Sequence, residues 1–195
     1  MKIIGLTGSI ATGKSFVAEI FKKNNIIVFS SDYVVAELLK TKEVVDILIV
    51  QPELKAAIKE GNIDKNILSN IVFKDEVALK ILEEILHPLL EQERISFIKR
   101  NNREKFMLFE VPLLFEKKYQ IYCDKVITTY CSERTQMERA LRRKNLDKNR
   151  LEFIMKRQMP SNEKTKLTDY AVYTDISYDY TESQIECILK KEGIK

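Results

Sequence analysis

Short continuous apolar runs punctuate this chain at Lys2–Leu6, Ile26–Phe29, Lys105–Pro112, Lys125–Tyr130 and Thr168–Val172. Each has the length of a buried strand rather than of a helix. Between them the apolar residues recur at helical spacing. Val17, Ile20 and Phe21 share one face of a first helix, and Ser132 to Gln158 reads as helical and rich in cations. A closing helix is predicted from Thr181 to Lys191. Strands alternating with helices predict an α/β fold with a mainly parallel sheet flanked by helices.

Residues 41–103 break that rhythm, being strand-poor with Pro52 and Gly61-Asn62 as interruptions. Asp64 is placed to cap a helix carrying Ile67, Leu68, Ile71 and Val72, and Val77 to Arg100 extends the pattern through Ile81, Leu82, Ile85, Leu86, Leu89 and Leu90. Pro88, after His87, predicts a kink there or the start of a new helix. A helical insertion of this length suggests a subdomain that covers a substrate. The expected organisation is a single domain, 1–195, with a core from 1–40, 104–131 and 167–195, an insertion at 41–103 and a lid at 132–166.

Composition narrows the class. A chain of 195 residues with 45% hydrophobic and 32% charged residues is long enough for a sizeable core and ordinary for a globular protein. Its net charge of +4 argues against coating nucleic acid but suits an anionic small ligand if the cations cluster. Cys123, Cys131 and Cys187 form no C-x-x-C spacing, which fits a reduced compartment, and the lone histidine, His87, excludes a multi-histidine metal centre. The apolar N-terminal run breaks at Gly5 and Thr7-Gly8-Ser9, too short for a transmembrane helix, so a cytoplasmic protein without membrane association is expected.

The chemistry begins where the first strand meets the first helix. Gly8, Gly13, Lys14 and Ser15 fit G-x-x-x-x-G-K-[ST], the phosphate-binding P-loop, and the strand-turn-helix context is the one that pattern requires. Successive amides of Ala11, Thr12, Gly13, Lys14, Ser15 and Phe16 are placed to curl around a polyphosphate, Lys14 adds a point charge, and the Ser15 hydroxyl is a Mg²⁺ ligand. Asp32 follows the second strand at the sheet edge where ligands gather, although Ser31 or Asp32 is equally suited to cap a helix from Tyr33 to Lys40. Glu110 ends a hydrophobic strand, where P-loop proteins place a second group that handles Mg²⁺, while Glu116 is free to face an acceptor. Arg139 and Arg143 stand four apart in the cationic stretch, and Asn145 to Asn149 supplies a hinge, the pattern of an arginine-bearing flap.

Several separated segments resemble dephospho-CoA kinases. They are Ile4-Gly5-Leu6-Thr7-Gly8 with Gly13-Lys14-Ser15, Ser31-Asp32, Gly61-Asn62-Ile63-Asp64 before Ile71-Val72-Phe73, and Leu86-His87-Pro88-Leu89. Val111-Pro112-Leu113-Leu114-Phe115-Glu116, Arg139 with Arg143, Arg157-Gln158-Met159-Pro160 and Asp169-Tyr170 complete the match. The resemblance implies a P-loop nucleoside-kinase-like fold with an inserted helical substrate subdomain and a helical lid. It implies transfer of the ATP γ-phosphate to the ribose 3′-hydroxyl of dephospho-CoA, with Mg²⁺ as cofactor; a monomer is expected, with an oligomer left open. The family's catalytic aspartate falls on Asp32, with Lys14, Arg139 and Arg143 completing the catalytic set and His87, Leu113 and Glu116 on the acceptor. The chain departs from the family at Ser9 and Ala11, where further glycines are usual, at Phe16, where a small hydroxyl residue is usual, and at Thr174, where asparagine is usual.

Two other functions share the P-loop. One is a small kinase of nucleosides or nucleotides. The other is a nucleotide-dependent regulator, against which no D-x-x-G switch pattern and no N-K-x-D guanine-reading segment occurs.

Overall fold

The computed structural model describes residues 1–143 and 146–194. The chain runs β1 (Lys2–Thr7), α1 (Lys14–Lys23), β2 (Ile27–Ser30), α2 (Ser31–Leu38), α3 (Lys42–Ile49), β3 (Ile58–Lys59), β4 (Asn62–Ile63), α4 (Lys65–Lys74) and α5 (Glu76–Arg100). It continues through β5 (Phe106–Glu110), β6 (Lys125–Tyr130), α6 (Glu133–Leu141), α7 (Lys148–Arg157), α8 (Ser161–Lys166), β7 (Tyr170–Tyr173) and α9 (Tyr178–Lys191). Two compact units result, one formed by Met1–Ser30 with Arg103–Lys195 and the other by Ser31–Asn102.

The first unit is built on a five-stranded sheet of order β2-β5-β1-β6-β7 in which every pairing is parallel. Continuous apolar strands are what such a sheet needs, since helices cover both faces. Ile4 and Leu6 of β1, Leu108 of β5 and Ile127 of β6 are fully buried, and α1 turns Val17, Ala18, Ile20 and Phe21 onto them. Side chains of this size each contribute about 1.5–3 kcal/mol on burial. The register is tight around the central strand, with Leu6 opposite both Glu110 and Ile127, and Ser30 opposite Glu110. At the sheet's edge, Asp169 accepts hydrogen bonds from Lys125 Nζ at 2.7 Å and the Val126 amide at 2.8 Å, pinning the entry to β7.

The second unit has its own core of Val44, Leu48, Leu54, Ala57, Leu68, Ala78, Leu82 and Leu86. Asp64 caps α4, accepting from the Asn66 and Ile67 amides at 2.9 and 3.1 Å, and Asp75 caps α5 in the same way. Two expectations are corrected here, and a third gains detail. The helix after β2 starts at Ser31 rather than Tyr33, so Asp32 lies inside its first turn, where a carboxylate favours the helix dipole. α5 runs through Pro88 as one helix of 25 residues, so no new helix starts there, and its buried stripe of Ala78, Leu82, Leu86 and Leu90 holds it together across the lost amide. Gly61-Asn62 is part of a β3–β4 hairpin: Glu60 and Gly61 both have positive φ, 49° and 74°, as a tight type I′ turn requires.

Candidate functional site

The site grows from the turn between β1 and α1. Ala11 adopts φ 63° and Gly13 φ 92°, so the chain passes twice through left-handed conformations before α1 begins at Lys14. No side chain caps α1, and its first turn has no acidic residue. Its amide end is therefore open to an anion. The Lys14 ammonium folds back and donates to the Gly8 carbonyl at 2.9 Å.

Surrounding elements hold this loop. Thr12 Oγ1 donates to the Ser9 carbonyl at 2.8 Å and shares a buried hydrogen bond of 2.8 Å with Thr129 Oγ1 at the end of β6. Gln136 of α6 donates to the Ile10 carbonyl at 2.8 Å, and Gln158 Oε1 accepts from the Ile10 amide at 2.7 Å. Ser9 Oγ donates to the Met159 carbonyl at 3.1 Å, and Thr174 Oγ1 donates to the Thr12 carbonyl at 3.0 Å. Ile10 and Ala11 also pack in an apolar cluster with Ala140 and Leu151.

Beside the loop lies a cavity of about 600 Å³, lined by Ala11 to Phe16, Arg139, Arg142, Arg143, Thr174 to Tyr178 and Thr181. That volume accommodates a nucleotide-sized ligand. Among the described residues, four cations, Lys14, Arg139, Arg142 and Arg143, and one carboxylate, Asp175, line the cavity. Burial pushes the Asp175 carboxyl up, but donation from the Ser132 amide and from the hydroxyls of Ser132, Tyr173 and Thr135 outweighs it and holds the group below its ordinary value. Arg139 is fixed by two bonds to Thr174, to Oγ1 at 3.1 Å and to the carbonyl at 2.7 Å. In the lining the rings of Phe16 and Tyr178 meet edge to face at 4.8 Å.

The structure thus brings together Ala11, Thr12, Gly13, Lys14, Ser15, Phe16, Arg139 and Arg143, with Gly8 at the start of the same loop. The helix carrying Arg139 ends at Leu141, so Arg143 reaches the cavity from the turn beyond and not from the next helical turn. Of the expected hinge, Asn145 lies outside the described residues, as does the neighbouring Lys144, while Asp147 caps α7 through the Arg150 amide at 2.8 Å. Glu110 ends β5 between Leu6 and Ser30, and is buried. Leu113 is half-buried in the turn after β5. Asp32 and His87 belong to the second unit, in the first turn of α2 and the middle of α5.

Glu116 is engaged by residues the sequence did not single out. Its Oε1 accepts from the Met159 amide at 2.7 Å and from the ammonium of Lys164, which is fully buried, at 3.0 Å. Burial pushes Lys164 below the usual lysine range, and the Glu116 carboxylate only partly opposes that. Arg142, Thr174, Asp175 and Tyr178 were not selected as site residues either. Arg142 carried a signal, its place in the cationic run; Tyr178 carried none.

Known proteins match this arrangement over nearly all of its length. The dephospho-CoA kinase family model covers residues 2–179. Dephospho-CoA kinase of Bartonella quintana is 35% identical over 192 residues, 97% of each chain, and that of Rickettsia typhi 35% identical over 191 residues, again 97% of each. Among solved structures, TT1252 from Thermus thermophilus superposes with a TM-score of 0.81 at 25% identity, covering 97% of both chains. Dephospho-CoA kinase from Campylobacter jejuni gives 0.64 at 26% identity, covering 100% of this chain and 97% of its own. Shikimate kinase from Acinetobacter baumannii, at 0.57 and 14% identity, shares the fold. With the phosphate-binding turn, the cationic cavity and this full-length match in agreement, the chain belongs to the dephospho-CoA kinase family.

Proposed function

We propose that the protein transfers the γ-phosphate of ATP to the ribose 3′-hydroxyl of dephospho-CoA, giving CoA and ADP, the last step of coenzyme A biosynthesis. The observation that carries the ATP half is a cavity lined by both an uncapped helix N-terminus and Lys14, Arg139, Arg142 and Arg143. Family membership and relatives named for dephospho-CoA support the acceptor.

In this reading the loop amides and Lys14 take the β- and γ-phosphates, Lys14 exchanging the Gly8 carbonyl for phosphate oxygens. Phe16, Tyr178 and Ile176 offer the base an apolar part of the cavity lining. The Ser15 hydroxyl and the Glu110 carboxylate would hold Mg²⁺, which takes hard oxygen donors of this kind, and the ion would supply charge to offset that of the phosphates. Asp32 stands two residues along the chain from Ser30, the strand partner of Glu110. It orients the acceptor hydroxyl and accepts its proton as the new O–P bond forms and the bond to the β-phosphate oxygen breaks. Arg139 and Arg143 offset charge on the transferring group, and exclusion of water limits ATP hydrolysis. His87, Leu113 and the 41–103 insertion contact the acceptor, and residues 132–166 act as the lid.

No helix among the described residues is long and apolar enough to cross a membrane. A monomer in the cytoplasm, acting on small molecules and not on nucleic acid, fits this reading. The test compares dephospho-CoA with nucleosides and nucleoside monophosphates as acceptors, using the native chain and Asp32→Asn. Native enzyme prefers dephospho-CoA. The variant keeps its ATP affinity while turnover falls about 10²- to 10⁴-fold. Near-normal turnover in Asp32→Asn removes Asp32 from the mechanism, and preference for a nucleoside removes the assigned acceptor.

A further inference from the structure

The buried ammonium of Lys164 sits where three segments of the first unit converge. Its Nζ donates to the Pro112 carbonyl at 2.7 Å, to Glu116 Oε1 at 3.0 Å and to Thr7 Oγ1 at 3.4 Å, matching its three protons with three acceptors. Thr7 is the last residue of β1, immediately before Gly8. Glu116 Oε1 passes the connection on to the Met159 amide at 2.7 Å, and the Met159 carbonyl accepts from Ser9 Oγ at 3.1 Å. Ser161 Oγ also donates to Ser9 Oγ at 3.1 Å. The path closes on itself: Thr7, Lys164, Glu116, Met159, Ser9 and back along the chain to Thr7. What it ties together is the start of the phosphate-binding turn, Thr7-Gly8-Ser9.

A buried ion pair is weak support for stability, because desolvating both charges offsets most of their attraction. Lysine is also rarely found fully buried. An apolar pair would fill the space as well, so the charged pair invites a role other than packing. We propose that Lys164 is a positioning residue. Paired with Glu116, it sets the first half of the phosphate loop, so that the γ-phosphate of bound ATP is held where transfer occurs. This rests on the ATP-dependent reading above. Glu116 then acts through the loop, its Oε1 being occupied by Lys164 and Met159.

The turn has a reason to need an outside hold. Ser9 and Ala11 occupy it, Ala11 in a left-handed conformation that favours glycine. Ser9, in turn, supplies the hydroxyl through which the path is closed.

The test uses the full chain in three forms, Lys164→Met, Lys164→Met with Glu116→Gln, and Ser9→Ala. Each is measured for melting temperature, for kcat and the KM of ATP, and for the ratio of ATP to AMP affinity without acceptor. Lys164→Met leaves the half-buried Glu116 carboxylate without its cation and lowers the melting temperature; the double variant neutralises both partners and regains most of it. Neither regains turnover. In both, kcat falls and the preference for ATP over AMP shrinks, each by about tenfold to a hundredfold, the scale of a small misplacement of a reacting group. Ser9→Ala, which leaves the buried pair intact, shows the same loss of ATP-over-AMP preference at smaller size with little change in melting temperature.

Recovery of turnover and ATP preference together with melting temperature in the double variant overturns the proposal. Should the lysine variants not fold, Ser9→Ala decides: an unchanged ATP-to-AMP ratio overturns it. Because that ratio is read without acceptor, its result stands apart from the choice of dephospho-CoA as substrate. Failure of the native protein to make CoA defeats that choice alone.

Discussion

Replacing Gly8 by alanine is the sharpest perturbation of the phosphate-binding turn. A Cβ at this position would lie 2.3 Å from Thr129 Oγ1, 2.6 Å from Thr12 Oγ1 and 2.7 Å from the Thr129 carbonyl, with the backbone at φ 151°. The backbone conformation alone costs an L-residue about 1–3 kcal/mol. Overpacking adds about 1–3 kcal/mol, and separating the buried Thr12–Thr129 pair about 1 kcal/mol. The sum is at least about 3 kcal/mol, a large part of the ~5–15 kcal/mol that holds a domain together. For a chain of this length that lowers the melting temperature by about 6–12 °C. The loop can shed part of the strain only by moving, which displaces its amides from the phosphates, so ATP affinity falls about 10²-fold or more.

Gly61→Ala is the matched control. That position also has positive φ, 74°, but a Cβ there meets nothing within 4 Å, so only backbone strain of about 1–2 kcal/mol applies. Thermal melting and calorimetric titration with Mg-ATP separate the two. If Gly8→Ala binds ATP as tightly as the native chain, or if Gly61→Ala loses as much affinity, the contacts around Gly8 do not shape the site.

Other substitutions probe neighbouring parts. Ala11→Gly relieves about 1–2 kcal/mol of left-handed strain but forfeits ~0.8 kcal/mol for a buried methyl and about 0.4–1 kcal/mol of chain entropy, so melting stays within about 4 °C of native; a larger loss would mean that packing on Ala140 and Leu151 dominates. Arg139→Met removes two charge-assisted bonds to Thr174, and ATP affinity measured by titration falls about 10- to 100-fold; a change under about twofold would detach the Arg139–Thr174 link from nucleotide binding. Burial pushes the Asp169 carboxyl up, but the Lys125 ammonium and Val126 amide outweigh it and hold the group below its ordinary value. A carboxyl depressed on folding stabilises fully above its unfolded pKa, near 3.9, and loses that contribution as pH falls through the folded value. The stability gap between native and Asp169→Asn, from urea midpoints, therefore narrows on acidification from about pH 6 to about pH 3; a constant or widening gap contradicts the assignment.

Much of this architecture was legible in the order of residues. The runs at Lys2, Ile26, Lys105, Lys125 and Thr168 became the parallel sheet, because strands covered on both faces are apolar throughout and stand out from helical spacing. The phosphate-binding turn was legible for a different reason: its function is local, carried by consecutive amides and a few side chains at fixed spacing. The short hairpin at 58–63 was not, since two strands of two residues carry no periodicity and only Glu60-Gly61 marks the turn. Pro88 left two outcomes open, a kink or a new helix, because which one follows depends on whether the surrounding helix is otherwise well packed.

Lys164 illustrates the harder limit. In Ser161-Asn162-Glu163-Lys164-Thr165-Lys166 it looks like any solvated lysine, and its neighbour Lys166 is one. Only the return of this segment against Thr7, Pro112 and Glu116, distant in sequence, buries one ammonium and leaves the other in water. Tyr178 is of the same kind, reaching the cavity because β7 lies beside β6 and the chain then turns into α9.

The most direct measurement supplies the purified protein with Mg-ATP and dephospho-CoA and identifies the phosphorylated product and the carbon that carries the new phosphate. The account predicts CoA, phosphorylated at the ribose 3′ position, formed in step with ADP and dependent on Lys14 and Asp32. ADP formed with free phosphate while dephospho-CoA stays unmodified would contradict it.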